Sequence, residues 1–429
     1  MQILQLVLGH QEARRGVAMP ALPATKRQGP SNHHRTDPEL NTFKPLANPL
    51  LILSDRPEDH SGLARVARDI ASLACTLPQF RVAVMGRGSE GLRKFPWTTY
   101  SYPESAGWGQ GNIERVIADF FGDDRGIILS NWDLSRLGWL AGPQYTSKEQ
   151  ADAFGSGRNW DLWGYIPVDS TGPDGKTLGI ETAQIAAGFD RIAAASEWGS
   201  DVLRASGRED ADWYPHGIFT ETFKPVADAK KLLGWDGITV GCVMTNQARK
   251  DWPVAFQCAS LLKQEYGNKF RFWVHTDTMI RYWNLYALAT DYGITDCMVV
   301  TLELNDQQMA MRYSACDCTI LPSGGEGFSF PTAESLSCGT PCVVPDYAAA
   351  PELVPENCRV APVTYRIDTL FNCRRAVLSG YGFAVTTKEW INDIKIDPEK
   401  RSGLRESVSH LGWDRLQGIW KRWLLEGIR

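Results

Sequence analysis

The sequence predicts an α/β protein built from two doubly wound domains in series. Short apolar runs, typical of buried strands, alternate with helical patterns along most of the chain, which predicts parallel sheets covered on both faces. At 429 residues the chain is long enough for two such domains, each with its own core. Domains of this kind normally face each other across a cleft.

Composition narrows the class of protein. Apolar residues make up 43% and charged residues 22%, which is ordinary for a globular protein. The formal charge of −5 argues against attraction of the whole molecule to nucleic acid or anionic lipid. No apolar run approaches the ~20 residues of a membrane helix, and the opening "MQILQLVLG" lacks the basic residues and cleavage site of a signal peptide. We therefore expect a cytoplasmic protein.

The chain is expected to divide into four parts. Residues 1–46 are rich in Pro, Ala, Arg and His and are predicted to be a flexible tail, whose basic character makes docking to DNA or a membrane surface an alternative role. Residues 47–222 and 223–385 are predicted to be the two α/β domains. Residues 386–429 have the pattern of amphipathic helices and are expected to pack back across both domains.

Each predicted domain has its own series of strands. The first begins with the run "PLLILS" (49–54), the polar loop "DRPEDHSG", a helical pattern and the run "RVAVMG" (81–86), which together form a βαβ unit. Further strands are predicted at 126–131, 163–168 and 191–196 in the first domain, and at 238–244, 270–275, 297–302, 318–323 and 341–346 in the second.

Four cysteines have spacings that resemble those of metal ligands. They are Cys316, Cys318, Cys338 and Cys342. Cys318, Cys338 and Cys342 lie in or beside apolar runs, and no histidine is near in sequence. We therefore expect buried reduced thiols rather than a zinc site.

The stretch "PSGGEGFSFPTAESLSCGTPCVVPD" places two carboxylates on either side of a helix start. Glu326 lies in a glycine-rich loop after a strand, and Glu334 lies about one turn inside the next helix. Between them, the free amides of Gly327, Phe328 and Ser329 offer a place suited to an anion. The two carboxylates are therefore predicted to reach one ligand from two sides, the alternative being two ordinary solvated glutamates.

Two further turns between strand and helix support an anion site. Arg249 and Lys250 come immediately before a helix that Asp251 is expected to cap. That position repels cations, so the pair indicates an anion such as a diphosphate. In the first domain, Ser61 and Gly62 open a helix after the first strand and are expected to supply backbone donors.

These motifs together resemble family 4 glycosyltransferases, which are retaining enzymes of the two-domain GT-B fold. The resemblance is carried by "EGFSFPTAE", "NQARKDW", "YPHGIF" and "APELV". It spans roughly residues 48–429 and is strongest over residues 191–354. It implies a fold in which the two domains face each other across a cleft that holds a nucleoside-diphosphate sugar.

The resemblance also implies roles for individual residues. Glu334 would hydrogen-bond the ribose of the donor, and Glu326 would contact the donor sugar with help from the amides around Phe328 and Ser329. Arg249 and Lys250 would neutralise the diphosphate. The segment "VVTLEL" (299–304), which contains Thr301, would hold the base through backbone groups, so that UDP-linked and GDP-linked donors remain alternatives.

The sequence departs from the family pattern in two places. Many members carry the first cation five residues before the lysine, where this chain has Thr245, so Arg249 is expected to substitute from next door. Many members also have a histidine near the donor sugar, after a strand of the first domain. The acceptor-side candidates in this chain are Asn131 and Asp133 in the matching stretch "LSNWDLS", together with His60 and Asp169.

The function expected from these features is retaining transfer of a hexose-type sugar to an unidentified acceptor: a glycan, lipid, metabolite or modified DNA base. No cofactor is expected, and no metal ion either, because Arg249, Lys250 and helix amides would neutralise the diphosphate. Asp210 and Asp212 resemble a metal-binding DxD motif but lack its context. The alternatives are an epimerase or phosphorylase of the same fold, and a non-catalytic protein that binds sugar nucleotides.

Overall fold

The computed structural model describes residues 47–88, 94–141, 159–368 and 371–428. These residues form two large parallel sheets, one after the other along the chain, and a two-stranded antiparallel hairpin. The predicted tail, residues 1–46, lies outside the described residues. Within the described ranges, no helix combines the length and the apolar character needed to cross a membrane.

The first sheet has seven strands in the order β3-β2-β1-β4-β5-β6-β7. Its first strand is fully buried from Leu50 to Leu53, which explains its continuous apolar sequence, since a strand covered on both faces has no polar side. The strands are β1 (Asn48–Asp55), β2 (Phe80–Arg87), β3 (Thr98–Tyr102), β4 (Gly126–Ser130), β5 (Trp160–Ile166), β6 (Arg191–Ala194) and β7 (Asp212–Trp213). The helices are α1 (Gly62–Ala74), α2 (Ile113–Phe120), α3 (Gly138–Ala141), α4 (Ile180–Ala187) and α5 (Glu197–Ala205).

The second sheet has six strands in the order β10-β9-β8-β11-β12-β13. Its strands are β8 (Ile238–Val243), β9 (Phe270–His275), β10 (Met298–Thr301), β11 (Cys318–Ile320), β12 (Cys342–Pro345) and β13 (Arg359–Val360). The helices are α6 (Ala229–Leu233), α7 (Trp252–Tyr266), α8 (Leu285–Asp291), α9 (Asp306–Ala315) and α10 (Phe330–Ser337). We call the parts built on the two sheets the first and the second domain. The predicted boundary at 222/223 falls between them.

The prediction of two doubly wound domains is confirmed. Each of the ten predicted strand runs overlaps an observed strand. In each sheet the strand order reverses beside the first strand, between β1 and β4 and between β8 and β11. Crevices outside the carboxyl ends of strands at such points are where ligands bind in open α/β sheets.

The antiparallel hairpin was not predicted. It consists of β14 (Thr364–Asp368) and β15 (Cys373–Val377). Most of β14 is exposed, so it lacks the apolar pattern by which the other strands were recognised. The hairpin leaves the second domain and contacts the first, where the amide of Arg374 donates to the carbonyl of Thr171 at 2.7 Å.

The chain ends in three helices, α11 (Gly380–Ile396), α12 (Lys400–Ser407) and α13 (Trp413–Glu426). The last of these returns to the first domain. The ring of Trp423 lies 5.8 Å from that of Trp163 on β5, and the guanidinium of Arg191 donates to the carbonyl of Trp423. The start predicted for this helical part, residue 386, falls inside α11.

Candidate active site

Glycines bring the loop between β11 and α10 against the first domain. A Cβ on Gly325 would lie 2.0 Å from the carbonyl oxygen of Asp169, and one on Gly327 would lie 2.7 Å from the backbone of Pro167. Both distances are far below van der Waals contact, so only glycine fits. The glycines thus allow the loop to approach the backbone of the first domain.

Helices α7 and α10 begin at the residues that the sequence predicts, but the side chains at their N-caps make no capping hydrogen bonds. Ser329 is the N-cap of α10 and has a left-handed backbone conformation, with φ 79°. Its hydroxyl lies 2.7 Å from that of Thr332 and makes no capping hydrogen bond. Asp251, the N-cap of α7, also makes no side-chain cap. Neither side chain therefore satisfies the amides of the helix that follows it.

The buried side chains of Lys250 and Glu326 form one group with the half-buried Arg249, which we call the Glu326 cluster. The ammonium of Lys250 contacts Oε1 of Glu326, and Nη1 of Arg249 lies 3.0 Å from the same oxygen. Burial alone would raise the pKa of Glu326, but Lys250 and Arg249 lower it to about 2. Burial and the charge of Arg249 lower the pKa of Lys250 to about 8 in spite of Glu326.

Asp169 joins this cluster to the first domain. It follows β5, and its carboxylate lies 3.2 Å from Nε of Arg249 and 2.8 Å from Nη1 of Arg375 on β15. Burial alone would raise the pKa of Asp169, but Arg375 and then Arg249 lower it. An acceptor-side candidate of the sequence thus lies one ion pair away from the Glu326 cluster.

Glu334 is buried on α10 and pairs with a residue that the sequence analysis missed. The guanidinium of Arg65, on α1 of the first domain, donates to Oε1 of Glu334, and the hydroxyl of Tyr313 donates to Oε2 at 3.0 Å. Burial raises the pKa of Glu334 against the effect of Arg65. The position of Arg65 near the start of α1 was an available signal, because helix N-termini disfavour cations.

Aromatic rings surround the Arg65 guanidinium. It lies 4.8 Å from the ring centroid of Phe330, 5.4 Å from that of Phe223 and 5.9 Å from that of Phe219. Such contacts stabilise a partly desolvated guanidinium by about 0.5–2 kcal/mol each. Arg65 is therefore held in place by rings of the second domain and of the connection between the domains, as well as by Glu334.

The predicted residues Ser61, Gly62 and Asn131 position the start of α1. The hydroxyl of Ser61 donates to Asp55 at 2.7 Å and caps the helix by accepting from the amide of Ala64 at 3.1 Å. A Cβ on Gly62 would lie 3.5 Å from the ring of Phe330. The amide of Asn131 donates to the carbonyl of Leu63 at 2.9 Å. Asn131 thus braces α1 from β4.

Thr301 is the last residue of β10 in the second sheet, and His60 lies in the loop between β1 and α1 of the first domain. The hydroxyl of Thr301 bonds Nε1 of Trp273 at 2.8 Å and Nδ1 of His275 at 2.9 Å. Burial, followed by the charge of Arg312, lowers the pKa of His275 to about 4, and His60 adds a smaller effect. His60 is exposed.

Two of the four acceptor-side candidates line a common cavity. Asp133 and Asp169 face a space of about 150 Å³, and Arg375 of the hairpin lines it as well. Asp133 also accepts a hydrogen bond from the amide of Ser135 at 3.0 Å. Among the described residues, His60 and Asn131 are not part of this lining.

Two sets of residues resemble metal ligands in the sequence, Asp210 with Asp212 and four cysteines. Asp210 is paired with Arg208 at 2.7 Å. Over the described ranges, no three His, Cys, Asp or Glu side chains come together as a metal site would require. The four cysteines with metal-like spacing are buried and form no disulfide: Cys316, Cys318, Cys338 and Cys342.

Comparison with known proteins gives partial sequence matches. Residues 281–363, which include both glutamates, match the family described as "Glycosyl transferases group 1". The MMP alpha-(1->4)-mannosyltransferase of Mycolicibacterium hassiacum is 34% identical over 67 residues, 16% of each chain. The D-inositol 3-phosphate glycosyltransferase of Acidothermus cellulolyticus is 30% identical over 140 residues, 30% of this chain and 31% of that protein. The chain thus matches about a sixth and about a third of these relatives.

Solved structures match nearly the whole chain. The sucrose-phosphate synthase of Thermosynechococcus elongatus superposes with a TM-score of 0.67 at 16% identity, over 89% of this chain and 100% of that one. Anabaena HepE in complex with UDP and glucose superposes with a TM-score of 0.65 at 15% identity, over 88% and 98%. The fold is GT-B. The Glu326 cluster and Glu334 both face the first domain of this fold. Asp169 of that domain pairs with the Glu326 cluster, and Arg65 pairs with Glu334.

Proposed function

We propose that this protein is a family 4 glycosyltransferase that moves a hexose-type sugar from a nucleoside-diphosphate sugar to an acceptor, with retention at the anomeric carbon and without a metal ion. The observation that carries the proposal is the convergence of Arg249 on the buried pair of Lys250 and Glu326, where the two domains of a GT-B fold meet. Glu326 lies eight residues before Glu334. Support also comes from the partial sequence matches to glycosyltransferases.

In this proposal the glutamates bind the two sugars of the donor. Glu334 accepts hydrogen bonds from the ribose hydroxyls, which requires its pairing with Arg65 to rearrange. Glu326 accepts from hydroxyls of the transferred sugar, with the amides of Phe328 and Ser329 nearby. The strand end at Thr301 faces the base, which is uracil or guanine.

The cations act on the leaving group. Breaking the bond between sugar and diphosphate leaves negative charge on the phosphate, which Arg249 and Lys250 stabilise once their pairing with Glu326 rearranges. At ~4 Å and an effective dielectric constant of ~20, one cation contributes on the order of 4 kcal/mol. Two cations therefore supply a substantial share of an enzymatic reduction of the barrier. The acceptor then attacks from the face that the diphosphate leaves, and contact between the domains excludes water.

Incubation with a panel of UDP- and GDP-linked hexoses tests this proposal. Binding of each donor is measured by calorimetry, and release of nucleoside diphosphate is measured with and without candidate acceptors. We expect one donor to bind, to hydrolyse slowly alone and to react faster with an acceptor. Turnover to an isomeric donor, or turnover dependent on inorganic phosphate, would identify an epimerase or a phosphorylase instead. Tight binding with no product would identify a non-catalytic binding protein.

A further inference from the structure

The hairpin of β14 and β15 closes a cavity against the first domain. It is anchored on both sides. The amide of Arg374 donates to the carbonyl of Thr171 in the first domain, and the amide of Ala376 donates to the carbonyl of Gly324 at 3.1 Å in the second. The hydroxyl of Tyr347 donates to the carbonyl of Arg374 at 2.6 Å. Side chains of the hairpin are therefore fixed as one wall of the cavity.

The cavity has room for a small polar group. Its volume of about 150 Å³ equals that of about five waters at ~30 Å³ each, which suits one sugar ring or a group of similar size. Hydroxyls of Ser135, Ser170, Thr171 and Thr182 line it together with apolar side chains, including Phe371 of the hairpin. Such a mixture of apolar surface and a few fixed polar groups is typical of small-molecule sites.

Polar atoms in this wall are left without hydrogen-bond partners. Thr171 is 3% exposed, and its hydroxyl makes no hydrogen bond of ordinary geometry among the described residues. Arg375 is 8% exposed, and its Nε makes none either, the carboxylate of Asp368 lying 3.5 Å away. Both residues line the cavity, so this wall is polar, although these two atoms are themselves closed to solvent.

The charges of the lining select against an anionic ligand. Three carboxylates line the cavity, those of Asp133, Asp169 and Asp368, against the single guanidinium of Arg375. That guanidinium already bonds both the side chain and the carbonyl of Asp169, at 2.8 and 3.0 Å. A phosphate here would meet the carboxylates of Asp133 and Asp368, and the cation of Arg375 is already paired with Asp169. A hydroxyl group, which donates to carboxylates, would be accommodated.

We propose that this cavity is the acceptor subsite and that it takes an uncharged, hydroxylated group the size of one monosaccharide, excluding its phosphorylated counterpart. This inference rests on the proposed function. Asp169 lines the cavity and also pairs with Arg249, so a hydroxyl bound in the cavity lies beside the Glu326 cluster. The D-inositol 3-phosphate glycosyltransferase that this chain partly matches is named for a phosphorylated substrate. The lining of the cavity in this chain instead favours a substrate group without a phosphate.

Matched pairs of small molecules test the proposal. Glucose, mannose, galactose and myo-inositol are each compared with their monophosphates, by saturation-transfer NMR for binding to the full chain and by product formation with the donor. We expect at least one neutral member to bind, with its monophosphate at least tenfold weaker. The double variant Asp133→Asn/Asp368→Asn should narrow that difference at least threefold, because it removes two charges, and Asn retains the ability to cap at position 133.

Asp123→Asn is the matched control, because Asp123 is exposed in the first domain and does not line the cavity. It should leave the difference unchanged. Equal or tighter binding of a monophosphate, an unchanged preference in the double variant, or binding of no member would overturn the proposal. A separate titration with UDP and GDP distinguishes the two inferences. Nucleotide binding and transfer to a phosphorylated acceptor would refute the subsite alone, and neutral sugar binding without any nucleotide binding would refute the glycosyltransferase.

Discussion

Individual residues carry the charge balance of the site. Arg249 and Lys250 could be singled out in the sequence because cations are unfavourable before a helix N-terminus, and Glu326 because it follows a strand of the same sheet. The sequence predicted an anionic ligand for the two cations, not their pairing with Glu326. Arg65 is likewise a cation in an unfavourable position, near the start of α1, but its partner Glu334 is 269 positions away. Arg375 reaches Asp169 over 206 positions. Such pairings depend on how the domains meet and could not be assigned from local patterns.

We predict that Lys250 makes the proposed transfer depend on pH. Its pKa of about 8 means that the free protein loses this cation just above neutral pH, so kcat/KM for the donor should fall about tenfold per pH unit above pH 8. Glu326, with a pKa of about 2, stays ionised throughout. The measurement is the kcat/KM profile from pH 6.5 to 9.5.

Loss of stability would not account for this decline. The pKa of Lys250 is lowered from 10.5, so between pH 8 and 10.5 the unfolded chain holds a proton that the folded protein has released. The contribution of Lys250 to the free energy of unfolding therefore rises with pH in that window. Circular dichroism at each pH supplies the control. A kcat/KM that stays constant to pH 9.5 would show that the ammonium of Lys250 does not assist the reaction.

Among the elements, the strands and the helices on the two sheets follow from sequence, whereas the hairpin does not. Buried runs such as Leu50–Leu53 leave a continuous apolar signature. β14 is mostly exposed, and its position is fixed by contacts with Thr171 and Gly324 far away in the chain. The glycine-rich loop was recognised, but its closest neighbour, the backbone after β5, was not.

The glycine-rich loop provides a test at this scale. Gly325→Ala places a methyl group 2.0 Å from the carbonyl of Asp169, so the loop or the domain contact must shift, at a cost of about 1–3 kcal/mol. We expect a lower melting temperature by calorimetry and weaker donor binding, because Glu326 follows directly.

Gly418→Ala in α13 is the matched control for this substitution. A Cβ at Gly418 meets no heavy atom within 4 Å, and alanine is the better helix former by about 1 kcal/mol. This variant should be slightly more stable and should bind the donor normally. If Gly325→Ala behaved like Gly418→Ala, the close contact between the loop and the first domain would not exist in solution.

At the scale of the whole molecule, the two domains contact each other through ion pairs that surround the candidate site. Arg65 with Glu334, and Asp169 with Arg249 and Arg375, all connect the first domain to the second. The domain order and the fold class followed from the alternation of strands and helices. The closeness of the domains is a property of the folded chain, and it makes the carboxylates of the candidate site, Glu326 and Glu334, part of the interface.

The charge supplied by the protein has a consequence for metal dependence. If Arg249 and Lys250 neutralise the leaving diphosphate, transfer should retain its full rate after treatment with EDTA and desalting. The check is the initial rate before and after chelation, with added Mg²⁺ and Mn²⁺ as the reversal. Complete loss that either ion restores would mean that a metal carries the role assigned to these two side chains.

We propose that a nucleoside-diphosphate sugar binds between the Glu326 cluster and Glu334. Calorimetric titration measures this binding directly. UDP- and GDP-linked hexoses are titrated into the wild-type protein, Glu334→Ala and Lys250→Ala, with Asp123→Asn as the control and thermal melting as the check of folding. We expect one donor to bind the wild type and the control equally. Glu334→Ala should weaken its binding at least tenfold, whereas Lys250→Ala should chiefly slow transfer. Folded variants that bind and turn over the donor as the wild type does would contradict this proposal.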